Sequence, residues 1–366
     1  MSFSSGSSSR SRSAGEYVRE LKAHLPVEAF EPAHSRLWWL PLHLSVITLG
    51  MLLVASDVLP FWLLPLASLG IGASFAGLVF LGHETLHGAV VREKRLRYLV
   101  GFVTFLPFAV SPRLWTAWHN RVHHGNANRA GVDPDAYPTL AEHRADLGVR
   151  ISTDWFGIGR RRVHGLVSLL IGFAFQSAHV LAVAGRRGYL KPREHRLALL
   201  ETALGAALWL VLGFALGPIG FFFACFVPWI VANTAVMAFI LTNHSLSPLT
   251  DENDPLQNSL TVSVPRWVDV WTLNFGAHVE HHLFPWMSSR HAPAVTRLVK
   301  ERWPERYQSL PLLTALATVH RTARVYLNPT TLVDPQTGEC FPTLRAENAS
   351  PRPGNDTRGS INPHAA

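Results

Sequence analysis

Residues 37–87 read LWWLPLHLSVITLGMLLVASDVLPFWLLPLASLGIGASFAGLVFLGHETLH. From Leu37 to Gly82 there is no Lys or Arg, and the apolar run breaks only at Ser56-Asp57 and Pro60. Such a block holds two helices of roughly 20 residues, the length that crosses a bilayer. A second block, Leu197 to Thr242, is equally free of Lys and Arg and breaks at Gly217-Pro218. The reading is two helical hairpins, roughly 37–55 with 59–82 and 197–216 with 219–242. The fold class expected is an all-α integral membrane protein with four transmembrane helices as two hairpins, interfacial helices and a cytoplasmic histidine-rich cap. Composition agrees: of 366 residues, 48% are hydrophobic and 16% charged, against about 25% charged in an ordinary soluble domain. A disordered chain and a fibrous repeat are excluded. The two cysteines, Cys225 and Cys340, lie far apart and outside any CxxC pair, which excludes a disulfide scaffold and a zinc ribbon.

The net charge is +8, and all 33 basic residues lie outside the two blocks. That distribution argues for a membrane protein and against a nucleic-acid partner. By the positive-inside rule, the N-terminus, residues 83–196 and residues 243–366 are expected in the cytoplasm. Tyr98–Val110 is too short to span. Val163–Gly185 is long enough, but Arg160–Arg162 precede it and Arg186 and Arg187 follow. A single crossing there would send the C-terminal part to the other side, so an interfacial or re-entrant helix is expected. The domain reading is a cytoplasmic tail, 1–36, with a short amphipathic helix over Gly15–Ala33; a membrane domain, 37–330; and a mostly disordered tail, 331–366. The Arg- and Ala-rich composition suggests a bacterial inner membrane.

Nineteen histidines are present, and nine form a pattern. His83 and His87 are spaced i, i+4 where the second span ends, so both rings share one helix face. His119-Asn120-Arg121-Val122-His123-His124 and His278-Val279-Glu280-His281-His282 each end in a doublet. Neighbours on a helix point about 100° apart, so a doublet can give one ring to each of two metals. His244 closes the fourth span at the same face. Nine imidazoles exceed what one tetrahedral zinc needs and suit two first-row metals with open positions.

HETLH, HNRVHH and HVEHH, with a single His after the last span, resemble the membrane fatty acid desaturases. The resemblance runs from about Leu37 to Asn328 and is strongest in the third box, Asn274 to Pro285. It implies a non-haem diiron centre, two Fe held by His83, His87, His119, His123, His124, His244, His278, His281 and His282. It also implies an O2-dependent reaction that places a cis double bond in a fatty acyl chain of membrane lipid or a thioester. The sequence carries no His-Pro-Gly-Gly haem motif, so an external electron donor of ferredoxin or cytochrome b5 type, with its reductase, is expected. Regiochemistry would come from an apolar tunnel, with Phe75, Phe80, Trp229 and Phe239 among the candidate lining residues. Because hydroxylases and ketolases acting on lipids or carotenoids share these boxes, that outcome stays open. His83-Glu84-Thr85-Leu86-His87 also matches HExxH, the signature of a zinc protease with Glu84 as base, but a protease leaves both doublets without a role.

Ligating histidines usually donate their second N–H to a carboxylate or carbonyl. The candidates are Glu84, Asn120, Asp133, Asp135, Asn243, Asp254, Asn274 and Glu280. For Asp133 and Asp135 the competing reading is an Asp-Pro turn with solvated carboxylates. The unclustered histidines, among them His24, His34, His43, His143, His195, His291, His320 and His364, are read as surface or satisfied core residues.

Overall fold

The computed structural model describes residues 12–56 and 58–344; Asp57, part of the expected break, and the end of the C-terminal tail with His364 lie outside them. Four helices are long and apolar enough to cross a membrane: His34–Ala55, Phe61–Leu86, His164–Ala184 and Pro192–Asn243. The elements that matter below are α1 (Ala14–Lys22), α2 (Trp39–Ala55), α3 (Leu64–Leu86), α4 (Lys94–Phe105) and α5 (Pro112–Asn126). They continue with α6 (Val167–Ala184), α7 (Pro192–Phe221), α8 (Val227–Asn243), α9 (His278–Leu283) and α10 (Ala292–Arg302).

The central helix is α3. Pro65 in its first turn costs no hydrogen bond there, and its C-terminal half is buried on every side. Small residues permit this. A Cβ on Gly72 would stand 2.7 Å from Val231 Cβ and 2.8 Å from the Pro228 carbonyl oxygen, and one on Gly77 would collide with the His43 ring. So α2 and α8 pack directly on the α3 backbone, the close approach small residues give membrane helices. Below them, Phe80 gathers Phe275, Phe239 and Trp271 at ring-centroid distances of 4.9, 5.8 and 6.0 Å.

α7 is not one straight rod. Gly217 has φ +65 and ψ 177, and beyond it the chain turns back so that Phe221 meets Trp209 at 5.9 Å. The break lies at the Gly217-Pro218 step marked in the sequence. α4 and α5 meet at an angle of 105°, because Pro107 and Ala109 (φ 52) end the first helix while the Ser111 hydroxyl caps the second. α6 packs on α8: Gly172 lies against Met237, and the Ala174 N–H donates to Asn233 Oδ1 at 3.4 Å.

Three expectations need correction. The N-terminal helix is shorter than Gly15–Ala33 and docks on protein: Tyr17 and Leu21 are fully buried in a cluster with Val279, Leu283, Phe284 and Val299. Its pattern of apolar residues serves an intramolecular face. The chain is mostly helical but not all-α. Strands β1 (Thr261–Ser263) and β2 (Ser309–Pro311) pair in parallel, and β3 (Val325–Asn328), β4 (Thr331–Val333) and β5 (Cys340–Pro342) form an antiparallel sheet. Residues 331–344, assigned above to a disordered tail, therefore belong to the folded chain. Tyr326 and Leu332 bury one face of the sheet.

Candidate metal centre

α3 ends with His83 and His87 in its last turn, and Gly88 at φ +84 closes the helix. α5 is wound as a π-type helix from Thr116 to His123, a local expansion common at functional sites. It carries His119, His123 and His124. α8 releases the chain at His244, and α9 begins at His278 after Leu273 and Asn274, both at positive φ. Asparagine tolerates that region at small cost.

Four distant segments thus meet, and their histidines form two groups. His83, His87, His119, His124 and His281 make one; His123, His244, His278 and His282 make the other; in each, all ligand atoms lie within 4.8 Å of one another. Both doublets divide, so box two and box three each contribute to both groups. The nitrogens face each other. His83 Nε2 and His119 Nε2 are 3.1 Å apart, His281 Nε2 and His124 Nε2 3.1 Å, and His278 Nε2 and His244 Nε2 2.7 Å. Two imidazole nitrogens bound at right angles to one ion, each about 2.1 Å from it, would be about 3.0 Å apart. His87 Nε2 and both nitrogens of His282 are buried with no hydrogen-bond partner. Buried polar atoms are rarely left so; a cation at each group would take His87 Nε2 in one and one ring nitrogen of His282 in the other. Burial pushes His281 and His244 down to about 3, so both rings are neutral at physiological pH, as metal ligation requires. Burial acts the same way on His123, but Asp133 and Asp135 outweigh it and raise that ring to about 9, so a metal there would have to displace its proton. The residues present fit a metal at each group.

The surroundings sort the candidate partners. Asp133 accepts from His123 Nδ1 at 3.0 Å, and Asp135 lies 3.4 Å from the same nitrogen. Both are held: Asp133 by the Asn128 and Asp135 N–H groups, Asp135 by Trp118 Nε1 at 2.8 Å and Gln176 Nε2 at 2.6 Å. Burial opposes the charge on Asp133, but the His123 ring holds it below the usual carboxylate range. Burial, with Asp133 beside it, pushes Asp135 up to about 6. These carboxylates are built into the site and not solvated in a turn.

The remaining candidates point elsewhere. Glu84 accepts from the Ser288 hydroxyl at 2.6 Å and the Ser289 N–H at 2.9 Å, with Arg36 at 3.9 Å. Glu280 accepts from Thr261 at 2.7 Å and Tyr307 at 2.7 Å, and from Thr296, fixing α9 on β1 and α10. Asn120 donates to the Leu86 carbonyl at 3.1 Å, and Asn274 Oδ1 accepts from Arg36 at 3.4 Å. Asn243 uses its backbone carbonyl to accept from Leu260, its side-chain oxygen having no partner. Asp254 binds Arg306 at 2.6 Å and Tyr17 at 3.2 Å. The partner that sequence reasoning missed is the Asn258 carbonyl, which accepts from His244 Nδ1 at 2.7 Å. Any residue type could supply it, so no sequence signal marks it. Of the unclustered histidines, His143 is buried on Asp154 at 3.2 Å, and His195 bonds the Leu181 carbonyl at 2.9 Å. His43 is buried with its Nε2 unpartnered.

Helices long and apolar enough to cross a membrane thus close over nine buried or half-buried histidines, in two groups that could each hold a metal ion. The sequence model of the fatty acid desaturase family matches residues 59–312, and the chain belongs to that family. Among curated relatives, it is 24% identical over 295 residues to a chloroplastic omega-6 fatty acid desaturase of Arabidopsis thaliana, covering 78% of this chain and 64% of that one. It is 24% identical over 299 residues to an sn-1 oleoyl-lipid 12-desaturase of Anabaena variabilis, covering 78% and 82%. The chain thus spans somewhat under two thirds of the length of the Arabidopsis relative. Family membership displaces the zinc-protease reading, and Glu84, turned onto Ser288 and Ser289, is not placed as such a base.

Proposed function

We propose that this protein is an O2-dependent fatty acyl desaturase acting on membrane lipid or an acyl thioester, with one iron at each histidine group. The observation that carries the reading is the division of nine converging histidines into two adjoining groups through both doublets. Bound iron supplies the activation of O2. An acyl CH2–CH2 unit becomes CH=CH, and O2 with two electrons and two protons from outside becomes two waters. The electrons require a separate donor of ferredoxin or cytochrome b5 type. The chain's own part is to hold the metals rigidly, keep water out and place one C–C bond beside them. A cavity lined by Phe80, Phe275, Met287 and Pro285 opens onto His83, His278 and His281, members of both groups. Of the other aromatics proposed for a tunnel, Phe239 packs on Phe80, while Phe75 packs on Trp209 at 6.2 Å and Trp229 on Phe108 at 6.4 Å, farther up the bundle.

The two-hairpin topology belongs to this reading, and parity supports it. His123 and His244 stand with ring centroids 4.8 Å apart, so the chain between them crosses the membrane an even number of times. Two crossings in 192–243, folded at Gly217, satisfy this; a third by α6 would not. So α6 stays on one side or re-enters in this reading; its orientation, with the histidine cap and both termini cytoplasmic, rests on the positive-inside rule, and the Arg- and Ala-rich composition is the ground for a bacterial inner membrane. The domain reading becomes one membrane domain that includes the strands of residues 331–342.

The test is expression in cells that lack the corresponding double bond, with fatty acid analysis and metal content measured side by side. Wild type should yield a new monoenoic or dienoic acyl product and about two irons per chain; His281→Ala should insert normally, yield no product and lose iron. A hydroxylated product would replace the desaturase reading. One zinc per chain, retained in His281→Ala, would end it.

A further inference from the structure

Asn128 lies outside the nine histidines and their carboxylates, yet it touches the supports of two ligands. It is 2% exposed and sits at φ +57, just past the end of α5. Its backbone N–H donates to Asp133 Oδ2 at 2.8 Å, on the carboxylate that orients His123. Its side-chain Nδ2 faces the other way. It reaches the carbonyls of Pro248 at 2.9 Å, His244 at 3.2 Å and Ser247 at 3.3 Å, with the Tyr326 hydroxyl at 3.5 Å. An amide has two N–H hydrogens, and three carbonyls of one loop share them. That loop begins with His244. The same loop is also held by β3 and the residue before it: the Tyr326 hydroxyl donates to the Ser247 carbonyl at 2.7 Å, and the buried Arg324 donates to the Ser245 carbonyl.

His123 and His244 belong to the same four-histidine group, and they come from segments that share no helix. We infer that Asn128 is a positioning residue for this group: it fixes the distance between His123 and His244 by tying the Asp133 carboxylate to the 244–248 loop. Two properties select asparagine. It accepts the left-handed backbone better than other residues with side chains, and it presents two donors to a cluster of carbonyls. Glycine would keep the backbone and lose the donors. Aspartate would keep the backbone and the volume but point carboxylate oxygens at carbonyl oxygens. All the hydrogen bonds of this side chain go to the 244–248 loop and Tyr326, so the effect of losing it falls on the four-histidine group. The inference rests on the two-group reading above.

The experiment uses the full-length protein in detergent, loaded anaerobically with ferrous iron alone. Release to a colorimetric chelator is followed in time. Wild type should release two equivalents in two phases, assigned by which disappears in His278→Ala and which in His87→Ala. Loss of a group supporting a metal ligand typically costs 10- to 100-fold in affinity, so Asn128→Gly should speed the four-histidine phase by about 10-fold or more and leave the other within about twofold. Asn128→Asp should be faster still, and Tyr326→Phe milder. Equal acceleration of both phases, with a matching fall in thermal unfolding temperature, would show a merely structural role and overturn the inference, as would two unchanged phases. A single phase from wild type would overturn the two-group reading and this inference with it.

Discussion

Among the described residues, Asp133 is the one carboxylate that accepts a short hydrogen bond from a clustered histidine, at 3.0 Å from His123 Nδ1, and it is itself 5% exposed. A buried acceptor of this kind fixes the tautomer and raises the basicity of the ring's other nitrogen. Asp133→Ala should therefore weaken metal binding at the four-histidine group by roughly 10- to 100-fold, read by competition with a chelator of known affinity. Glu84→Gln should leave metal affinity near that of wild type, because Glu84 bonds two serines and no ligand. A large metal loss in Glu84→Gln, or none in Asp133→Ala, would reverse these assignments. At this scale the sequence speaks clearly where spacing carries information. The histidines announce themselves because i, i+4 pairs and doublets are rare and chemically pointed. Asp133 is legible from its closeness to box two. Asn243, Asn274 and Glu280 were reached by the same adjacency argument, and adjacency misleads there: a helix turns neighbouring side chains to different faces, so Glu280 faces Thr261 and Tyr307 while His281 and His282 face the groups. Asn128 and the Asn258 carbonyl have no pattern, since their meaning arises only when distant loops meet.

The helices were legible from the absence of charge, and their breaks from Pro and Gly. What the pattern could not give is which faces touch. Before its last turn α3 is apolar or small on every face, so periodicity does not say that Gly72 meets α8 while Gly77 meets α2. The structure turns this into a contrast within one helix. A Cβ at Gly72 would press on the Pro228 carbonyl oxygen at 2.8 Å, whereas one at Gly70 has nothing within 4 Å. Overpacking of this kind typically costs about 1–3 kcal/mol, while an exposed helical Gly→Ala change gains up to about 1 kcal/mol. Gly72→Val should lower the thermal unfolding temperature in detergent and loosen metal retention, because α3 carries His83 and His87 and α8 leads to His244. Gly70→Ala should match or exceed wild type. Equal behaviour of the two variants would mean that α3 and α8 are not in backbone contact. α1 shows the converse limit. Its amphipathic pattern is plain, but a pattern names a buried face and not the surface that buries it; here that surface is the third box and α10.

For the molecule as a whole, the decisive constraint is that one chain must bring histidines from four segments to one side of a membrane. The proposed side rests on charge patterning alone: the breaks inside the two blocks without Lys or Arg, read as hairpin tips, carry no positive charge. The two native cysteines can test it. Cys340 is exposed on β5, and Cys225 is buried in the hydrophobic core. The sheet that carries Cys340 is tied through Tyr326 to the Ser247 carbonyl, three residues from His244, so Cys340 reports the side of the histidine face. In intact bacterial cells a membrane-impermeant maleimide should not label Cys340, and permeabilisation should expose it; Cys225 should stay unlabelled throughout. Ser56 lies exposed at the first hairpin tip, so Ser56→Cys should label in intact cells. Labelling of Cys340 from outside, with Ser56→Cys protected, would invert the protein and place its metal centre away from cytoplasmic electron donors. Labelling of both from outside would break the parity on which the hairpins rest, because Ser56 and the histidine face are separated by a single crossing of α3.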